Sequence, residues 1–188
     1  MRSSTPDDEP PEEFVRVARG LRALRCRPEF ELSEIPAPQR LAPFALALSA
    51  DVEVDGADIA QGRLVVLHDP AGQETWQGRW RAVVFAKATL EPEMAADPVL
   101  TDVGWAWLEE ALEESEAQLT AFGGTVTRNI SVPYGAMAGR DIRGDMELRA
   151  SWTPTDEHID RHGRAWLNLL ATLAGLTPLP EGVRTLAR

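Results

Sequence analysis

Apolar side chains at every second position restrict what this chain can fold into more than anything else in it. Leu46, Leu48, Ala50, Val52 and Val54 alternate with Ala47, Ser49, Asp51, Glu53 and Asp55. The rhythm returns over residues 79–89, where Trp80, Ala82, Val84 and Ala86 alternate with Arg79, Arg81, Val83, Phe85 and Lys87. Period two is the pleat of a strand with one buried face and one wet face. Residues 64–67, Leu-Val-Val-Leu, read as a strand between these two. Asp55-Gly56 starts one turn, and Asp69-Pro70-Ala71-Gly72 reads as the next, since proline presets its φ and glycine tolerates positive φ. Connections this short predict an antiparallel meander.

Two more strands are expected over residues 119–132 and 145–152. In the first, Val126, Ile130 and Val132 oppose Thr125, Thr127, Asn129 and Ser131. In the second, Met146, Leu148, Ala150 and Trp152 oppose Glu147, Arg149 and Ser151. Three helices frame them. The first starts at Pro11 with Glu12 and Glu13 at the positive end of its dipole, carries Phe14, Val17, Ala18, Leu21 and Leu24 on one stripe, and ends before Pro28. The second follows Asp97-Pro98. The third is expected to start at Thr153-Pro154, with Ile159, His162, Trp166, Leu169, Leu170 and Leu173 on one face, and to end at Gly175. Residues 28–43, with Pro28, Pro36, Pro38 and Pro43, read as a long connection.

The expectation is an α+β fold: a five-stranded, mainly antiparallel sheet with helices packed on it, in the order α-β-β-β-α-β-β-α. Residues 1–10 and 181–188 read as tails, the first of them disordered, around one domain over 11–180. Hydrophobic residues make up 44% of the 188, enough for a core at this length. Cys26 is the only cysteine, so the fold holds without disulfides and without a cysteine-based zinc site. No apolar run reaches the length of a membrane span, and the N-terminus has no signal-peptide core, so a cytoplasmic protein is expected. The net charge of −11 disfavours nucleic acid, whose affinity for proteins comes largely from phosphate neutralisation. Of the nineteen basic residues all but Lys87 are arginine, which bears on the composition of the genome more than on function.

No nucleophile elbow, phosphate loop, dinucleotide fingerprint or zinc-protease helix occurs, and no catalytic residue or cofactor is assigned. His158 and His162 have helical spacing for a shared metal, but no third ligand is fixed by the sequence, so no metal site is assigned. Two segments remain as candidate binding surfaces. The 98–115 helix is apolar over more than half its circumference, with Leu100, Val103, Gly104, Trp107 and Ala111 on one face and Trp105, Leu108 and Leu112 beside them. A surface helix needs a stripe of about 100°. The second strip therefore reads as a partner-binding surface, including that of a homodimer. The 133–144 loop holds Tyr134, Arg140, Asp141 and Arg143 among three glycines, residue types that anchor interfaces or bind anions. With the concave face of the sheet, it is the candidate ligand site.

The segments Gly123-Gly124-Thr125-Val126-Thr127-Arg128-Asn129-Ile130-Ser131-Val132-Pro133-Tyr134-Gly135 and Asp145-Met146-Glu147-Leu148-Arg149-Ala150-Ser151-Trp152 resemble the actinobacterial family numbered 3000 among domains of unknown function. That resemblance spans nearly the whole chain after residue 11 and implies no catalytic residues. The expected element order is also similar to that of class I type III secretion chaperones and YbjN-like domains, small acidic proteins that bind other polypeptides. What this second resemblance implies is a non-enzymatic, protein-binding or chaperone-like role. A small-ligand or anion-binding domain and an enzyme with an unrecognised site are the alternatives.

Overall fold

A computed structural model describes residues 9–177. Apart from residues 9 and 10, the expected tails lie outside the described residues. The elements run α1 (Glu12–Arg22), β1 (Phe30–Ile35), β2 (Phe44–Val54), β3 (Ala57–Gln73), β4 (Gly78–Leu90), α2 (Pro92–Ala96), α3 (Leu100–Glu114), β5 (Leu119–Ser131), β6 (Arg143–Pro154) and α4 (Ile159–Leu173). Among the described residues the sheet has six strands and not five, in the order β1-β2-β3-β4-β6-β5, and every neighbouring pair is antiparallel. The α+β class stands; the expected strand count and element order do not.

The added strand is β1, inside the proline-rich connection. It pairs with β2 from Phe30↔Val52 to Ile35↔Ala47. Pro28 and Pro36 bracket it, and proline cannot donate to a ladder, so a strand between two prolines belongs at a sheet edge. Arg22 of α1 holds it with two hydrogen bonds to Glu34, Nε to Oε2 at 2.7 Å and Nη2 to Oε1 at 2.9 Å. These bonds draw the Glu34 carboxyl below the usual carboxylate range.

The turn expected at Asp69–Gly72 is a bulge. β3 continues to Gln73, with its pairing to β4 interrupted between His68 and Gln73, and the chain reverses over residues 74–77, with Gln77 at φ 58°. Asp69 still acts locally, accepting from the Ala71 N–H at 3.0 Å. The α4 start also moves. Thr153 and Pro154 complete β6 by pairing with Thr120 and Leu119, so Asp156 takes over the helix entry and accepts from the His158 N–H at 2.9 Å.

Even-numbered residues of β2, β3, β4 and β6 face the helices. Leu46, Leu48, Ala50, Val52, Leu64, Val66, Ala82, Val84, Ala86, Met146, Leu148 and Trp152 are all buried. α4 lies across β2, β3 and β4, with Trp166, Leu169 and Leu170 fully buried. Each such side chain contributes about 1.5–3 kcal/mol by leaving water. The approach is close enough that a Cβ at Gly62 of β3 would stand 2.8 Å from both Leu170 Cδ1 and Trp166 Nε1. α3 packs on α4 and β5, α2 on β5 and β6, and α1 on α4.

Two histidines are structural members of this layer. His162 of α4 is fully buried, and its Nδ1 accepts from the Trp152 indole N–H at 2.8 Å. Burial lowers its pKa to about 4. His68 of β3 is fully buried too, with its ring 3.9 Å from that of Trp80 and Nε2 2.9 Å from Glu13 Oε1 of α1. Desolvation pulls its pKa down against the opposing pull of Glu13.

Candidate functional site

The helices cover one face of the sheet, and the odd-numbered residues of its strands lie on the other. The pairing register sets them in rows across strands that are distant in sequence. Ser49, Arg63, Phe85, Arg149 and Thr125 form one row across β2, β3, β4, β6 and β5. Asp51, Gln61, Lys87, Glu147 and Thr127 form the next. Val65, Val83, Ser151 and Gly123 lie on the other side of the first.

These rows enclose a shallow trough of about 680 Å³. Val65, Val83 and Phe85 give it an apolar floor, Arg63 and Arg149 stand on either side of Phe85, and Ser151, Gly123 and Gly124 line it toward β5. Gly123, paired with Ser151, leaves that side low, and Gly124 packs on the β6 backbone, where a Cβ would collide with the Arg149 carbonyl and stand 2.8 Å from Ala150 Cα. Arg149 lays its guanidinium 4.8 Å above the Phe85 ring, a cation–π contact, and reaches Glu147 at 3.3 Å. Arg63 is exposed and has no carboxylate within 4.0 Å among the described residues.

Arg81 underlies the trough as part of its frame. Its guanidinium donates to Ser151 Oγ at 2.6 Å, to the Ala121 carbonyl at 2.9 Å and to Thr153 Oγ1 at 3.2 Å. Those bonds join β4 to β6 and β5, and burial lowers the guanidinium's pKa. At the other end of the face the charge changes sign. Glu31, Asp51 and Asp58 line a second hollow of about 320 Å³. Lys87 is already committed there, 3.2 Å from Glu147 and 3.4 Å from Asp145, and its pKa is raised chiefly by the hydrogen bond to Glu147. The arrangement suits a ligand with an anionic group beside an apolar one, because only the β3–β6 half offers an uncompensated cation.

The sequence-predicted residues fall elsewhere. Leu108 and Leu112 are 0% and 4% exposed and belong to the core. Neither presents a surface to a partner, because α4 and β5 take up the second apolar strip of α3. Trp105 is half-buried, stacked on Phe122 with ring centroids 4.7 Å apart, and its indole N–H donates to Glu109 at 3.0 Å. Tyr134, Arg140, Asp141 and Arg143 are all exposed, Tyr134 at 79%, and none lines the trough. The expected loop and the sheet face are thus separate surfaces. His158 is exposed and His162 is buried, so the pair shares no open site, and among the described residues no group of three or more His, Cys, Asp or Glu could hold a metal ion.

Sequence reasoning put Phe85 and Arg149 on the outer faces of their strands but did not join them to Arg63. The available signal was an outward phenylalanine and valine on a face otherwise rich in charge.

Among the described residues no helix is long and apolar enough to cross a membrane. No curated protein and no solved structure matches the chain, so the likeness to secretion chaperones and YbjN-like domains gains no support. A family model does match, over residues 10–184, and the chain belongs to the family described as Protein of unknown function (DUF3000).

Proposed function

We propose that this chain is a non-catalytic, protein-binding domain that seats an acidic, partly apolar segment of another polypeptide on the open face of its sheet. The observation that carries the reading is the row Arg63–Phe85–Arg149, an aromatic ring with one guanidinium laid over it and an unpaired one on the strand beside it, in a chain of net charge −11. Against that charge, an uncompensated Arg63 is a local exception that attracts carboxylates. The trough is wide and shallow, whereas small-molecule sites enclose most of their ligand. An extended segment therefore fits it better. A chaperone-like carrier of such a segment, working in the cytoplasm, is the form of this role that agrees with the acidic remainder of the surface.

The test is a photo-reactive amino acid in place of Val83, which is 37% exposed on the trough floor. Irradiation in cells should give one protein adduct in stoichiometric yield, and Arg63→Ala with Arg149→Ala should abolish it while thermal unfolding stays unchanged. Adducts that ignore both arginines would sink the proposal. A small anionic ligand is the second reading, favoured by the bare Arg63 guanidinium. It would show as no protein adduct together with a rise in melting temperature on adding a small aromatic carboxylate, lost in Arg63→Ala.

A further inference from the structure

The two edges of the sheet are built differently. β1 is a guarded edge: six residues long, bracketed by prolines, charged at Glu31 and Glu34, and tied back by Arg22. Short length, proline and charge are the usual means by which a free edge is kept from pairing. β5 has none of these. From Gly123 to Ser131 it pairs regularly with β6, and none of these nine residues is buried. The whole of β5, Leu119–Ser131, contains no proline, no acid and one basic residue. Even that residue is turned away from the edge, since Arg128 Nη1 donates to the Ala95 and Ala96 carbonyls of α2 at 3.0 and 2.9 Å.

We infer that the β5 edge pairs antiparallel with β5 of a second copy, making a two-fold dimer with one continuous sheet of twelve strands, six from each copy. Charge and symmetry favour a second copy as the occupant. Two chains of −11 repel. The acids of the sheet's open face without a basic partner, Glu31, Asp51 and Asp58, gather toward the far edge, whereas Asp145 and Glu147 beside β5 are neutralised by Lys87 and Arg149, which leaves β5 as the approach of least repulsion. A two-fold contact must also be self-complementary. Centred on Thr127, the pairing sets Thr127 against itself, Thr125 against Asn129, Val126 against Arg128 and Gly123 against Ser131, with no like charges opposed. Cross-strand threonine pairs stabilise such ladders.

The dimer would also complete the trough. Gly123 and Gly124 give its β5 side no wall, and strand pairing would place the second copy's Asn129 and Ser131 there. The inference rests on the edge and not on the binding role, and its test is independent of any ligand. The full chain should run at twice its monomer mass in light scattering at high micromolar concentration. Thr125→Lys with Thr127→Lys, both exposed, should return it to monomer mass with thermal unfolding unchanged, while Ser33→Lys on β1 should leave the dimer intact. In a Cys26→Ser chain, Thr127→Cys should cross-link into dimers under mild oxidation, and Ser33→Cys should not. A wild-type monomer, a dimer indifferent to the two lysines, or cross-linking no faster at 127 than at 33 would each overturn the inference.

Discussion

His162 shows how much one buried polar contact dictates. The Trp152 indole can only donate, so Nδ1 of His162 must accept and the ring's proton sits on Nε2. A second proton would have to go where the indole N–H already points. The ring therefore stays neutral in the fold, with its pKa near 4 against about 6.5 in the unfolded chain. The unfolded state then binds more protons between those values, so this contribution is fully present above about pH 6.5 and lost as pH falls toward 4. The loss is up to about 3 kcal/mol at the lower limit. In urea titrations, wild-type stability should fall more steeply between pH 7 and pH 5 than that of His162→Gln, which keeps an acceptor for Trp152 without the titration. Equal slopes would mean that the indole–imidazole bond does not hold the ring neutral.

At the scale of elements, α3 separates what a pattern shows from what packing decides. Its surplus of apolar residues was legible in the sequence, but whether that surplus meets a partner or the same chain depends on where α4 and β5 lie. Burial makes a simple prediction. Leu108→Ala should cost about 2–5 kcal/mol in urea unfolding, as a large-to-small change in a packed core does. Trp105→Ala, at a half-exposed stacking contact with Phe122, should cost clearly less. The reverse order would place Leu108 at a surface. The faces of β2, β4 and β6 were likewise legible, since strict alternation allows only one assignment. β1 was not, because its three apolar residues, Phe30, Leu32 and Ile35, keep no period of two and its flanking prolines read as loop. The trough was half legible. Alternation exposes Phe85 and Arg149, but Arg63 precedes the unalternating run 64–67, and only the order β3-β4-β6 makes neighbours of residues so far apart in the chain.

For the whole molecule, the dominant quantity is the charge of −11. Several of the ion pairs among the described residues join two exposed side chains, such as Arg16–Glu157 at 3.6 Å and Arg164–Asp160 at 3.5 Å. Pairs of this kind contribute little each. Self-repulsion among the unpaired carboxylates therefore outweighs them, and it is screened over about 10 Å at 0.1 M salt. Raising potassium chloride from low to moderate concentration at neutral pH should raise the melting temperature. A fall would show that the arginine–carboxylate pairs matter more than the net charge.

The strand order also bears on how the chain is made. β6, the last strand in sequence among the described residues, lies between β4 and β5, and there β5 has no other neighbour. On a ribosome, which delivers the chain from its N-terminus, β1 to β4 can zip up as they emerge. β5 must wait with both its edges bare until residues 143–154 follow it out and slot between it and β4. The finished sheet is thus sealed by one late insertion, and the strand that ends with an open flank is the one that spent longest without a neighbour.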